Sequence, residues 1–564
     1  MNRLVAPEEV RERTSAAAGL PSWTLSLRQL CDLELLAHGG FSPLRGFLSR
    51  PDYETVLRSM RLADSTLWPI PVTLGVTEAV ARAVETNRRL ALRDQEGAIL
   101  AVLDVEDLWR PDRDAEAEAV FGTTNREHPG VTQFFAEEGA VYVGGPVAVI
   151  APPTHYDFPA LRHTPAQLRL KFREGGWDRI VAFQTRNPMH RAHFELVRSA
   201  SEAAEADYIL IHPSVGQTRE GDVDHYTRVR GYQAVLPRFG GKAALSLLPL
   251  AMRMAGPREA VWHALIRQNY GCTDFIVGRD HAGPGADSTG TPFYEPDAAV
   301  KLARQVQSDL AIRILLSESL VYVPGVDRYV PEREVPKGAP SASLSGTELR
   351  KRLAEGREIP EWFTFPEVAE VLRQAQDPPG GPVMSIWLTG LPASGKSTIA
   401  RHLVARLMEQ GGRAVTLLDG DHLRRTISAG LGFSRADREE HIRRVARLAA
   451  KIVKEGGVAV CPVIAPYEAA RREARALIEL EGRFVLVYVA TPLAVCEERD
   501  PKGLYAKARA GVVKEFTGIS DPYEPPLDAE VMIGVELDAA AAAGRILGAA
   551  GFTQDLIDRE DEAR

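Results

Sequence analysis

Two segments of this chain carry residue types suited to handling phosphate. QTRNPMHRAH, residues 184–193, brings together Gln184, Arg186, Asn187 and a His-x-x-His pair, His190 and His193. Guanidinium and imidazole N–H groups donate to anionic oxygens, so such a cluster can stabilise charge that builds on a phosphoryl group. GLPASGKST, residues 390–398, has the Gly-x-x-x-x-Gly-Lys-Ser pattern of a phosphate-binding loop. There Gly390, Leu391, Pro392, Ala393, Ser394, Gly395 and Thr398 form a backbone cradle for phosphates. Lys396 reaches the β and γ positions, and Ser397 suits a Mg²⁺ ion.

Elements that could position these groups are legible around them. The apolar run DRIVAF predicts a strand before the first segment and PMHRAHFELVRSASEAA a helix after it, with Asn187 as N-cap and Pro188 at the first helical position. That helix N-terminus favours an anion. An HxxH pair alone is a weak pattern, more often one surface and one packed histidine than a site. Basic residues in neighbouring segments add weight: His225 in GDVDHYTRVRGY, Arg253 in MRMAGPREAVWHA, and GRDHAGPG, 278–285, which follows the apolar run CTDFIVG. Ligands of open α/β sheets sit at the carboxyl ends of strands. The second segment lies between the strand SIWLT and the helix STIARHLVARLMEQ, the context a phosphate loop requires. Residues 1–165 hold short β-like runs at 68–73, 98–105 and 140–150. Within 326–376, SGTELRKRLAEG and EWFTFPEVAEVLRQA read as short helices, and the Ala-rich stretch 537–550 as another. DPPGGP, at 377–382, breaks both helix and strand and marks a linker at 377–383.

With 564 residues, 45% apolar and 26% charged, the chain is a multidomain globular protein. A net charge of -8 argues against a dedicated nucleic-acid binder. Four dispersed cysteines make neither a disulfide framework nor a cysteine-rich zinc site, so no zinc is expected. The charged N-terminus lacks the apolar core of a secretory signal, and no apolar run is long enough for a membrane span, so a cytoplasmic protein without membrane partners is expected.

The motifs QTRNPMHRAH, HPSVGQTREGDVDHYTRVR, MRMAGPREAVWHALIRQNYGC, GRDHAGPG and SGTELRKRL resemble those of ATP sulfurylase over about residues 23–375. The resemblance implies a β-rich, PUA-like N-terminal domain at 1–165, a Rossmann-like nucleotidyltransferase domain at 166–325 and a small third domain at 326–376. It also implies that Gln184 and Arg186 hold sulfate, with Arg279 and the amides near Ala282 beside them. Thr185, Arg186 and Asn187 would form an active loop, His190 and His193 would contact the phosphates of ATP, and Gly278, Arg279, Asp280 and His281 the nucleotide. Asp274 stands where the family pattern has His, inside the strand before the site, where little effect on chemistry is expected.

Beyond the linker, LDGDHLRRTI, LGFSRADREEHIRR and RDPKGLYAKARAGVVKEFTG resemble adenylylsulfate (APS) kinase over about residues 384–551, implying a P-loop α/β domain at 384–564. By position, Arg424, Phe433, Arg438, His441 and Lys502 would bind APS and Phe516 would stack on its adenine. Asp421 would be the general base on the ribose 3′-hydroxyl, and Asp419 would order Mg²⁺. The same acidic pair also fits a turn built on Asx hydrogen bonds. Three positions depart from the family: His441 for Asn, Ala465 for Ser and Glu468 for Arg, the last expected to weaken binding of an anionic nucleotide.

Together the resemblances imply an α/β multidomain enzyme with ATP, sulfate and APS as small-molecule partners, Mg²⁺ as cofactor, and a homo-oligomeric state. Sulfate and ATP would give APS and pyrophosphate, and APS with a second ATP would give 3′-phosphoadenylyl sulfate (PAPS) and ADP. The alternatives are a sulfurylase with a regulatory kinase-like domain, or a sulfurylase run in reverse to make ATP.

Overall fold

A computed structural model of the chain describes residues 2–137, 139–216, 223–317, 320–335, 340–342, 344, 346–376 and 382–552. Residues 377–381 of the expected linker, 217–222 of HPSVGQTREGDVDHYTRVR and Ser345 of SGTELRKRL lie outside this set. Two compact units emerge: Met1–Thr154 with Leu161–Ala369, and His155–Ala160 with Glu370–Arg564.

The first unit opens with a seven-stranded sheet. Helix α1 (Leu27–His38) follows the sheet's first short strand, Ser22–Thr24, and is started by a capping box of Ser26 and Gln29. Within the sheet, β1 (Arg89–Arg93) pairs antiparallel with β2 (Ile99–Asp104), and β2 with the long β3 (Val141–Val149). The expected strands at 98–105 and 140–150 are therefore present. The one at 68–73 is not: Trp68, Ile70 and Val72 are buried, but the segment joins no ladder. Pro69 and Pro71 lack the N–H groups that a ladder needs.

Further along the same unit lies an all-parallel five-stranded sheet. Its strands are β4 (Ile180–Phe183), β5 (Tyr208–Ile211), β6 (Ala243–Leu245), β7 (Asp274–Val277) and β8 (Arg313–Leu316), in the order β6-β5-β4-β7-β8. This is the 3-2-1-4-5 order of a Rossmann-type sheet. The direction of winding reverses between β4 and β7, so a crevice opens beyond their carboxyl ends. Helix α2 (Arg191–Ala203) follows β4, α3 (Gly256–Asn269) precedes β7, and α4 (Pro366–Gln376) starts in this unit and runs on past its end at Ala369. One apolar core runs through the unit, from Leu33 and Val143 to Trp262 and Phe275.

In the second unit, the strands β9 (Met384–Thr389), β10 (Val415–Leu417), β11 (Val458–Pro462), β12 (Arg483–Val489) and β13 (Val531–Ile533) form a parallel sheet in the order β10-β11-β9-β12-β13. Met384, Ile386 and Leu388 of β9 face one core, with α5 (Lys396–Gln410) and a helix at Ala539–Ala549. Trp387 faces the other core, with α7 (Arg435–Lys454) and α8 (Glu468–Ile478). The short α6 (Gly420–Arg425) follows β10. Both faces of the sheet are apolar because helices cover both, as a parallel sheet requires. Each fully buried aliphatic side chain contributes about 1.5–3 kcal/mol.

Candidate active sites

The first site is built at the winding reversal. Gln184 and Thr185 follow β4 and are buried, and the loop at 278–283 follows β7. Gln184 Nε2 donates to Ser214 Oγ at 3.1 Å and to the thioether sulfur of Met252 at 3.7 Å. Thr185 Oγ1 accepts the Asn187 N–H and donates to the Asn187 carbonyl, both at 3.1 Å. Arg186 Nη2 reaches the Gly283 carbonyl at 3.5 Å. The Asp280 carboxyl is raised by burial, against the opposing pull of Arg186 and Arg279, so both guanidinium groups act on it. Arg279 itself turns outward and lies 3.7 Å from Glu332. Ala282 has φ 53°, and a Cβ at Gly283 would stand 2.0 Å from Asp280 Oδ1, so a larger residue there would have to push the Asp280 carboxylate aside.

The helix after this loop begins three residues later than expected. Asn187 is not its N-cap, nor does Pro188 occupy its first position; His190 is the N-cap and Arg191 the first helical residue. The Asn187 carbonyl, which would have accepted from Arg191, is taken by the Tyr232 hydroxyl at 2.7 Å, and the Arg191 N–H donates to the Phe363 carbonyl at 3.0 Å. His190 therefore stands at the helix N-terminus. Its Nδ1 is 3.1 Å from Thr364 Oγ1, its ring centroid 4.4 Å from that of Phe363 and 6.1 Å from that of His193. The His190 N–H donates to His193 Nδ1 at 3.4 Å. Burial, and then the neighbouring His193, push His190 down to about 3, and burial lowers His193 as well. Both rings are therefore neutral at physiological pH, able to donate an N–H but carrying no positive charge.

Reading by motif passed over several groups that support this site. Arg267 lies on α3, is fully buried, and donates to both Gln184 Oε1 and the His212 carbonyl, the latter at 2.7 Å. His281 Nε2 is 2.9 Å from the Nδ1 of buried His263. Thr364 and Ser214 also belong to this list. At the family departure Asp274, the carboxylate pairs with Arg313 across the β7–β8 register, at the end of the strand away from the loop.

The second site has the expected loop between β9 and α5. A Cβ at Gly390 would stand 2.6 Å from the Val489 carbonyl oxygen, and Gly395 (φ 102°) is the N-cap of α5. The loop's own carbonyls are held from outside: Thr491 Oγ1 donates to Ser394 O at 2.8 Å and Tyr505 Oη to Pro392 O at 3.0 Å. Lys396 is buried and donates to the carbonyls of Gly390 and Leu391 at 3.0 and 2.7 Å, and burial pushes it down to about 8. Thr398 lies on the exposed side of α5. Asp419 serves two purposes. Its Oδ1 caps α6 by accepting the N–H groups of Asp421 and His422, as the turn reading anticipated, while its Oδ2 accepts from Ser397 Oγ at 3.3 Å.

On the acceptor side, Asp421 pairs with Lys502 at 2.5 Å. Burial works against ionisation of Asp421, but the Lys502 bond, with Lys396 and Arg425 nearby, outweighs it and holds the carboxyl below its usual range. The Arg424 guanidinium lies 4.8 Å from the exposed Phe433 ring. Arg438 is buried and commits its guanidinium to Phe433 O at 2.7 Å and to Glu515 O and Thr517 Oγ1, so it braces the pocket wall. Phe516 is buried edge-on against Tyr505, with centroids 4.9 Å apart. Phe433 is thus the aromatic with an open face. His441 Nδ1 is 2.9 Å from Ser428 Oγ, and burial, with Arg424 next, pushes it down to about 4, so it is neutral like the Asn of the family pattern.

The expected repulsion from Glu468 is met locally. Its carboxylate pairs with Arg471 at 2.6 Å and Arg472 at 2.8 Å, and buried Arg471 also donates to the carbonyls of Ala465 and Glu524. Arg471→Met leaves these acceptors unpaired and should lower the stability of this unit by about 3 kcal/mol or more. Calorimetry checks this, and an unchanged unfolding transition would show that the network carries no stability.

The geometry defines a nucleotidyltransferase-type crevice on a Rossmann-like sheet and a P-loop kinase site. Family models match in the same order: PUA-like domain over residues 1–152, ATP-sulfurylase over 159–375 and adenylylsulphate kinase over 382–534. The chain is 49% identical over 524 residues to a sulfate adenylyltransferase of Emericella nidulans, covering 92% of this chain and 91% of that one. It is 46% identical over 552 residues to that of Neurospora crassa, covering 97% and 96%. A solved structure described as a hexameric APS kinase from Thiobacillus denitrificans aligns over 97% of this chain and 96% of its own, at 35% identity and a TM-score of 0.56. The chain belongs to the sulfate adenylyltransferase family, with ATP-sulfurylase and APS kinase domains, and is an enzyme.

Proposed function

We propose that the two sites act in sequence on one intermediate, activating sulfate first to APS and then to PAPS. Gln184 and Arg186, with the amides near Ala282, hold sulfate, and Arg279 joins them by swinging in from Glu332. The phosphates of ATP lie against His190 and His193, and the nucleotide against Gly278, Asp280 and His281. A sulfate oxygen attacks the α-phosphorus in line, the bond to the β-phosphate breaks, and pyrophosphate leaves. Sulfate already carries its charge, so no general base is needed. Positioning by the 185–187 loop and donors aimed at the developing charge supply the acceleration.

In the second step the ribose 3′-hydroxyl of APS attacks the γ-phosphorus of a second ATP, Asp421 takes the proton, and ADP leaves. Lys502 must first release Asp421, and the bound anionic nucleotide is the natural competitor for that ammonium. Arg424 and Phe433 face APS, while His441, Arg438 and Phe516 shape its pocket. An ATP-using kinase works with a divalent ion. Ser397 and Asp419, hard oxygen donors 3.3 Å apart, suit Mg²⁺, which when bound neutralises charge on the β- and γ-phosphates.

The observation that carries this reading is the Lys396–Ser397–Asp419 constellation in the same chain as the Gln184–Arg186 crevice. A purely regulatory pocket has no need of the former. The protein is expected to be a cytoplasmic homo-oligomer: its solved neighbour is described as hexameric, its four cysteines are free, and no described helix is long and apolar enough to cross a membrane. With ATP, Mg²⁺, labelled sulfate and pyrophosphatase, label should pass through APS into PAPS. Label that stops at APS would overturn the second half of the reading.

A further inference from the structure

Helix α3 carries a buried polar stripe. Glu259, His263 and Arg267 stand at i, i+4 and i+8, so they share one helix face, and all three are fully buried. Glu259 accepts the N–H groups of Arg253 and Ala255 at 2.9 Å each, which fixes the start of the helix. His263 reaches His281. Arg267 reaches Gln184, 83 positions away in the chain.

Resting on the reading of Gln184 as a sulfate ligand, we infer that Arg267 is a positioning residue for sulfate, acting through the Gln184 amide and through its own unneutralised charge. A guanidinium only donates hydrogen bonds, so it compels Gln184 to present Oε1 toward α3 and Nε2 away from it. An amide flipped the other way would turn an oxygen lone pair toward the anion. Nε2 spends one N–H on Ser214 and the other on the Met252 sulfur, at 3.7 Å. A thioether is a weak acceptor that a sulfate oxygen can displace.

The charge argument is independent of the amide. Arg267 is in no ion pair among the described residues, and its Nε and Nη1 are buried without hydrogen-bond partners. A buried cation left without a counter-charge is costly. A dianion bound one side chain away would supply that counter-charge across a low-dielectric interior, where electrostatic attraction is strong.

The test is steady-state kinetics of the full chain with Arg267→Met, Arg267→Lys, Gln184→Ala and the Arg267→Met/Gln184→Ala double variant, alongside melting with and without sulfate. Arg267→Met should raise the KM for sulfate about tenfold or more, since one hydrogen bond to a charged group is lost. KM for ATP and phosphorylation of added APS should stay near the parent values. The sulfate-free melting temperature should change little, because removing an unpaired buried charge offsets the loss of a donor to Gln184 and the His212 carbonyl, while stabilisation by sulfate is lost. Arg267→Lys should recover part of the affinity. In the Gln184→Ala background, Arg267→Met should add less than it does alone. Equal rises in both KM values with a lower melting temperature would mean a scaffold residue and overturn the inference, as would full additivity. If Gln184→Ala itself leaves the KM for sulfate unchanged, the reading of Gln184 falls instead.

Discussion

Lys396→Ala stops the reaction at APS. The variant should form APS from sulfate at the parent rate and convert it to PAPS about a thousandfold more slowly, the scale seen when one strong donor to a developing anion is removed. Lys396 is the ammonium of the phosphate loop, drawn in among the carbonyls of Gly390 and Leu391 and near Ser394 Oγ at 3.3 Å. Fold stability should change little. The substitution deprives these acceptors of a partner but also removes a buried charge, and the two effects oppose each other. The expected signature is thus a chemical loss in an intact domain, read by separating labelled APS from PAPS. A variant that still makes PAPS at the normal rate would show that another cation serves the γ-phosphate.

The same lysine sets a pH dependence whose sign is fixed. Burial lowers it to about 8 in the unliganded protein. ATP phosphates favour the ammonium form and raise that value on binding. Below about pH 8 the free site is already charged, so this group contributes no pH dependence. Above it, ATP binding must take up a proton, and the KM for ATP of the APS kinase step should climb toward pH 9.5. A flat profile over that range in the parent protein would contradict a buried, proton-losing Lys396.

Much of this was legible before any coordinates, because it rests on local rules. The parallel sheets announced themselves as apolar runs before Gln184, Gly278 and Gly390, and the glycine pattern of 390–395 has few uses other than holding phosphate. What was not legible came from partners distant in the chain. The helix after β4 starts at Arg191, not Pro188, because Tyr232 and Phe363 claim the backbone groups that would have closed its first turn. The WPIPVT run looks like a strand by composition, yet two prolines keep it out of every ladder.

Glu468 shows the opposite case. Its neutralisation by Arg471 and Arg472 follows from i, i+3 and i, i+4 spacing on a helix. That spacing is present in the sequence, whereas the family pattern marks only the arginine that Glu468 replaces. The α3 stripe was equally visible as Glu, His and Arg at every fourth place of an apolar helix. Periodicity says that such residues are buried together; it does not say that their targets are Gln184 and His281, which arrive from other strands.

His190→Ala should be the converse of Lys396→Ala. It should lower APS formation about a hundredfold or more while leaving phosphorylation of added APS intact. His190 is placed for this by three restraints: its N-cap position on α2, the Thr364 hydroxyl at Nδ1, and the Phe363 ring against its face. With Nδ1 held, Nε2 is the nitrogen left for a phosphate oxygen. Because burial and His193 push the group down to about 3, the working form in the free enzyme is the neutral ring across the physiological range. Histidine acting as a cation would make sulfurylase kcat/KM for ATP rise as pH falls through the ordinary histidine range, from 8 to 6. A neutral donor gives no such rise, since its protonation lies far below. The profile should therefore lack a His190 wave, and His190→Asn, which keeps an N–H donor but cannot become a cation, should retain more activity than His190→Ala. A wave near pH 6.5 in the parent protein that disappears in His190→Ala would show that the ring works as an imidazolium. The stabilisation of the leaving pyrophosphate would then have to be rewritten as ion pairing.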